Sequence, residues 1–233
     1  MKVMVIAGGV PQMELLRQLK ERKLETVLLD GNENCLARNI ADKFYKVNIF
    51  NIEDVKKIAI DEKVDFIITV CADQVLLVVA QVSEMLGLPC YIGYKQAQDV
   101  SDKIRMKRIF KENGIPTTKY LELETLDMNK ISKLNYPLVV KPVDAYSSKG
   151  VRKAETEEEL ITYYNEAKAI SRSGGVIVEE FFKGEEISVD AFVLNGKAHI
   201  LSITNSEKVK DKDRFVIFRG RYPANIPDTI RNQ

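Results

Sequence analysis

Short apolar runs alternate with amphipathic stretches over roughly the first ninety residues, and this alternation restricts the fold more than any other feature of the sequence. Lys2 to Ala7 is a β-branched apolar run closed by Gly8 and Gly9. Pro11 to Arg22 then sets Met13, Leu15, Leu16 and Leu19 at helical spacing. Thr26 to Leu29 repeats the apolar run and ends in Asp30 and Gly31, Ile52 to Ile60 reads as an amphipathic helix, and Val64 to Val70 as a third strand. Val75 to Leu86 is a helix with a broad apolar surface, stopped by Gly87 and Pro89, and Cys90 to Ile92 is expected to be a fourth strand. Strands that alternate with helices form parallel βαβ units with right-handed crossovers. The expectation for residues 1–98 is therefore an α/β domain, a small doubly wound sheet.

Residues 99–116 read as a connector, a charged helix from Ser101 to Asn113 that Ser101 caps and Gly114-Ile115-Pro116 ends. Beyond it the pattern becomes strand-rich, an α+β region. Lys119 to Leu121, Leu138 to Lys141, Val176 to Glu180, Ile187 to Leu194 and Ala198 to Thr204 are predicted strands, with one helix over Glu157 to Ile170. Leu194-Asn195-Gly196-Lys197 predicts a tight hairpin, because Asn-Gly tolerates the positive φ angles of a type I′ turn.

Composition narrows the partners. Lys plus Arg number 35 against 34 Asp plus Glu, a net charge of +1, so there is no global field for nucleic acid or an anionic membrane, and no basic stripe with interleaved aromatics. Cys35, Cys71 and Cys90 are odd in number and without a CxxC pair, which suits a reducing, cytoplasmic setting and speaks against a disulfide framework or a zinc site. No stretch approaches the roughly 20 apolar residues that span a bilayer.

Two segments carry chemistry. Tyr136-Pro137-Leu138-Val139-Val140-Lys141-Pro142 leads into Val143-Asp144-Ala145-Tyr146-Ser147-Ser148-Lys149-Gly150-Val151. A lysine that ends an apolar strand beside a small-residue loop supplies a fixed cation and backbone N–H groups, which is what polyphosphate requires. An edge-strand lysine followed by an ordinary surface turn has the same pattern. The second segment, Val176 to Asp190, runs an apolar strand into Glu179, Glu180, Phe181 and Phe182 and then Glu185 and Glu186. It can offer amides and a carboxylate to a base and a later carboxylate to ribose hydroxyls, or it can be an exposed acidic turn.

The order SDK, YPLVVKP, Ser/Gly loop, VEEFFKGEEISVD resembles the ATP-grasp superfamily, in its carbamoyl-phosphate synthase, biotin carboxylase and amino-acid ligase branch. The resemblance covers essentially the whole chain. It implies a Rossmann-like pre-ATP-grasp domain at 1–98, a lid subdomain at 117–183 and the start of a C-terminal grasp subdomain at 184–233. By resemblance Lys103 and Lys141 contact ATP phosphates, and the backbone from Ala145 to Val151, with Ser147, Ser148, Lys149 and Gly150, forms a mobile lid. Glu179, Glu180 and Phe182 line adenine, the last two mainly through main-chain atoms, with Phe181 beside them, and Glu186 holds ribose. The implied reaction makes an acyl phosphate from a carboxylate or bicarbonate and ATP, for attack by an amine or ammonia.

The family's Mg²⁺ ligands lie late in the second half of the grasp domain, so they are expected beyond Gln233, in a longer enzyme rather than a degenerate relative, with this portion inactive alone. The small-molecule substrates are not specified, and the resemblance includes homodimers. His199, Arg219 and Arg221 are further candidates, for phosphate or a substrate carboxylate, and Gly8-Gly9-Val10-Pro11 for part of the acid substrate at a helix N-terminus. Two rival functions are a non-catalytic nucleotide-binding module and a nicotinamide-dependent oxidoreductase. The second is weakened because Gly8-Gly9-Val10-Pro11-Gln12-Met13 lacks the spaced glycines of GxGxxG.

Overall fold

A computed structural model describes residues 1–146, 148–209 and 215–231 and divides into two compact units, Met1–Ile115 and Pro116–Gln233. The first unit runs β1 (Lys2–Ile6), α1 (Val10–Glu21), β2 (Glu25–Asp30), β3 (Lys43–Lys46), α2 (Ile52–Asp61), β4 (Phe66–Ile68), a 3₁₀ turn (Asp73–Val75), α3 (Leu76–Leu86), α4 (Tyr94–Ser101) and α5 (Lys103–Glu112). Its sheet is wholly parallel with strand order β3-β2-β1-β4.

Successive β1 side chains point to opposite faces, and both faces are covered. Met4 and Ile6 pack with Val55 and Ala59 of α2 and Val78, Val79 and Val82 of α3. Val3 and Val5 pack with Leu16 of α1. The sheet is thus doubly wound, which is why its strands read as continuous apolar runs rather than as alternation. Pro11 lies in the first turn of α1, where a missing N–H costs nothing. Asn51 caps α2 by accepting from Glu53 N at 3.1 Å and Asp54 N at 3.4 Å.

Two local expectations are corrected, and one strand is added. Cys90 to Ile92 forms no strand. Pro89 has no N–H to give a ladder, and Tyr91 is 53% exposed, a poor fit to a buried parallel strand. Ser101 ends α4 and does not cap the helix that follows. Asp102 does, accepting from Ile104 N at 2.8 Å and Arg105 N at 3.0 Å. The edge strand β3, KFYK, was not foreseen, because its charged ends and half-buried rings hide the strand pattern.

The second unit runs β5 (Tyr120–Leu123), α6 (Met128–Ile131), β6 (Leu138–Pro142), β7 (Arg152–Ala154), α7 (Glu157–Ile170), β8 (Val176–Glu180), β9 (Ile187–Leu194), β10 (Lys197–Lys208), β11 (Ile217–Arg221) and α8 (Asp228–Arg231). One antiparallel sheet has order β5-β8-β6-β7 and a second has β11-β10-β9. Thr156 starts α7 by accepting from Glu159 N at 3.3 Å, and Glu157, Glu158 and Glu159 put negative charge on its first turn.

Leu138 and Val140 of β6 and Val176 and Val178 of β8 bury one face of the first sheet against Leu160, Tyr164 and Ala167 of α7. The residues between them therefore face the other way. Asn195 (φ 51°) and Gly196 (φ 75°) close the β9–β10 hairpin with both central residues left-handed, as the type I′ turn requires. The second sheet shows apolar side chains to solvent, among them Phe192, Leu201 and Phe218.

Candidate functional site

On the face of the first sheet turned from α7, the pairing fixes a small constellation. Val139 of β6 is opposite both Glu179 of β8 and Lys153 of β7, and Lys141 is opposite Ile177. Cross-strand partners share a face, so Lys141, Lys153 and Glu179 project to the same side. Lys141 Nζ is ion-paired with Glu179 Oε1, and Thr118 Oγ1 donates to Glu179 Oε2 at 3.2 Å. Both members of the pair are largely enclosed, with 17% and 11% of their side-chain surface exposed.

A cleft of about 760 Å³ opens over this face and extends to the second sheet. Glu186, just before β9, reaches Lys208 at the end of β10, with Nζ 2.5 Å from Oε2. The β10–β11 register shifts between Glu207 and Lys208, the kind of bulge that re-aims a side chain. Phe181 and Phe215 also line the cleft, and Lys153 Nζ lies 4.8 Å from the Phe181 ring centroid.

The segment linking β8 to β9 is held by its backbone. Glu180 N donates to Lys119 O at 3.0 Å and Phe181 N to Pro137 O at 2.9 Å. The Glu180 carboxylate accepts from Asn135 N at 3.0 Å and Asn135 Nδ2 at 2.9 Å. The Asn135 backbone bond is the main cause that holds its pKa below the ordinary glutamate value. Phe182 is 79% exposed at the rim.

The loop after β6 is stapled at its root. Asp144 Oδ1 accepts from Ser171 Oγ at 2.9 Å and Arg172 N at 3.2 Å, and Oδ2 from Ser173 N at 2.9 Å. Burial pushes the Asp144 pKa up, but these donors win and the net shift is down. Farther on, Lys149 N donates to Tyr146 O at 3.1 Å and Val151 N to Ser148 O at 3.2 Å, with Ser148 (φ 56°) and Gly150 (φ 73°) left-handed. Two of the amides expected to face phosphate thus close turns inside the loop, because consecutive tight turns consume their own donors.

The structure therefore gathers Lys141, Ser148, Val151, Glu179, Glu180, Phe181, Phe182 and Glu186 around one cleft. Lys149 and Gly150 are not in its lining, Lys103 opens α5 in the first unit, and Ser147 lies outside the described residues. Arg221 lines the cleft, while Arg219 binds Glu207 through Nε at 2.9 Å and NH2 at 2.5 Å. His199 sits two residues from the hairpin turn, about 20 Å of strand from Asn205–Lys208 at the cleft.

Thr118, Lys153, Lys208 and Phe215 were missed. Lys153 is placed by the pairing of β7 with β6, which a three-residue strand does not announce in the sequence. In the first unit Asp30 accepts from Gly8 N at 2.7 Å and Asn32 N at 2.6 Å, so both oxygens tie turns at strand ends.

Residues 109–232 match the family model described as D-ala D-ala ligase C-terminus. The chain belongs to this family, within the ATP-grasp superfamily. The ATP-grasp chain is 26% identical over 185 residues to the carbamoyl-phosphate synthase of Methanobrevibacter smithii, covering 77% of this chain and 48% of that relative. It is 34% identical over 134 residues to a D-alanine–D-alanine ligase of Bacillus anthracis, covering 55% of this chain and 42% of the ligase. The fold matches an N5-carboxyaminoimidazole synthetase from Staphylococcus aureus complexed with ADP at a TM-score of 0.80, with 20% identity, covering 99% of this chain and 60% of that one. The ATP-grasp chain thus spans about half the length of the curated relatives it matches. No helix among its described residues is long and apolar enough to cross a membrane.

Proposed function

We propose that the cleft binds ATP and that the chain is the nucleotide-binding portion of a ligase that activates a carboxylate, or bicarbonate, as an acyl phosphate for attack by an amine or ammonia. The observation that carries this reading is the placement of Lys141, Lys153 and Glu179 on one sheet face beneath a cleft that also holds Phe181 and Glu186. An aromatic ring for a base, a carboxylate for a ribose and a fixed ammonium for phosphate are the donor set a nucleoside polyphosphate needs.

In this reading residues 1–98 are the pre-ATP-grasp domain, 99–116 the connector, 117–183 the lid subdomain and 184–233 the beginning of the C-terminal grasp subdomain. Lys141 neutralises phosphate charge and Lys103 supports it. Ser147, Ser148, Lys149, Gly150 and Val151 shield the phosphates from water, and Glu180, Phe181 and Phe182 border the base. The relatives' chemistry uses Mg²⁺ to neutralise the polyphosphate. Among the described residues no group of three or more His, Cys, Asp or Glu is placed to hold a metal ion.

Thermal unfolding with saturating ADP, ATP or NAD, with and without Mg²⁺, tests the reading. A nucleotide at about one hundred times its dissociation constant stabilises the chain by roughly 2.7 kcal/mol. We expect ADP and ATP to raise the midpoint, NAD to leave it, and Lys141→Ala to lose the shift relative to its own ligand-free midpoint. Equal stabilisation by NAD, or none by any adenine nucleotide, sinks the proposal.

A further inference from the structure

Phe181 and Phe215 approach each other in the cleft with ring centroids 6.0 Å apart and planes inclined at 36°. A cation lies over each ring: Lys153 Nζ is 4.8 Å from the Phe181 centroid, and Lys208 Nζ is 4.8 Å from that of Phe215. Lys208 is held in turn by Glu186. The root of Phe215 is fixed as well, since Val209 N donates to Val216 O at 2.8 Å. The first ring follows β8 in one sheet and the second precedes β11 in the other, so the aromatic pair bridges the two walls of the cleft.

A planar ligand stacked between two rings needs about 7 Å between them, one contact distance of about 3.5 Å on each side. The present centroid separation is smaller. A flat ligand that uses Phe181 must therefore take the contact Phe215 now makes, and an aromatic pair is attractive enough to compete.

We propose that Phe215 is a built-in competitor for the planar ring of a heteroaromatic ligand at Phe181, and that binding of the ligand requires Phe215 to leave. This rests on the nucleotide reading above. The contact is broken only by ligands whose flat face replaces that of the phenyl ring, and a phosphate group that brings no base leaves it in place.

The test is calorimetric titration of the intact chain with ADP, for wild type, Phe215→Ala and Phe215→Trp. Loss of the ring should tighten ADP binding about two- to tenfold, the equilibrium equivalent of one aromatic contact. The sequence contains no Trp, so the indole of Phe215→Trp is a single reporter, and its emission should shift as ADP saturates the site. Unchanged or weaker ADP binding by Phe215→Ala, or an indole signal indifferent to bound ADP, overturns the competitor and leaves the nucleotide reading standing. If ADP binds neither the wild type nor either variant, while all three unfold cooperatively, both readings fall together.

Discussion

Lys141 on β6 and Glu179 on β8 are diagonal neighbours on one sheet face, joined as an ion pair whose carboxylate is also bonded by Thr118. The pair satisfies each charge before any ligand arrives. Removing one partner therefore strands the other in a place water reaches poorly.

Lys141→Met should cost about 3 kcal/mol, the typical penalty for orphaning one member of an enclosed pair. The double variant Lys141→Met/Glu179→Gln should recover at least half of that loss in urea denaturation. Additive losses in the double-variant cycle would show that the two charges are not coupled.

Glu62 gathers Lys43 Nζ at 2.8 Å, Tyr45 Oη at 2.5 Å and Lys2 Nζ at 2.9 Å. The Lys43 bond contributes most, followed by Tyr45 and then Lys2, and together they lower its pKa from 4.5 to about 2. A carboxylate with a depressed folded pKa stabilises the protein above its unfolded value and loses that contribution as pH falls toward the folded one. Wild type should thus exceed Glu62→Gln in stability by a constant margin above about pH 5, and the margin should shrink between about pH 4.5 and pH 2. Denaturant melts of the two proteins across that window decide it, and a margin independent of pH counts against the assignment.

Gly150 has φ 73°, and a Cβ there would meet Ile170 Cδ1 at 2.9 Å and Pro142 Cγ at 3.0 Å. Gly174 has φ 75° with nothing within 4 Å of the same atom. Gly174→Ala should cost only the backbone strain, about 1–2 kcal/mol. Gly150→Ala adds the steric clash and should cost about 1–3 kcal/mol more. Equal losses in thermal melts would mean the loop moves aside without penalty.

The Tyr164 hydroxyl, on the buried face of α7, has no hydrogen-bond partner among the described residues. Tyr164→Phe removes an unsatisfied polar group and keeps the ring, so it should be neutral or stabilising by about 1 kcal/mol. A loss above that size in equilibrium unfolding would show that the hydroxyl has a partner in solution.

Much of the architecture was legible because one periodicity dominated each segment. The buried run of β8, the helix over Glu157–Ile170 and the Asn195-Gly196 turn are all found where their residues predicted them. Short pieces were not legible: β7 is three residues long, too few to show alternation, and without it nothing in the residue pattern sets Lys153 near Lys141. The choice between Ser101 and Asp102 as a cap turns on a single backbone angle that neighbouring polar residues do not reveal. The candidate site was readable as two motifs. Its second wall was not, because Lys208 and Phe215 depend on a register shift and on chain reversal between β10 and β11.

The bonds at Asp144 and the fit of Gly150 against Pro142 give the intervening loop two fixed roots. Asp144 and Gly150 are six Cα steps apart, at about 3.3–3.6 Å each, so the two roots can stand no more than roughly 20 Å from one another. The chain itself sets that span, and a group to be shielded by both roots at once has to fit within it.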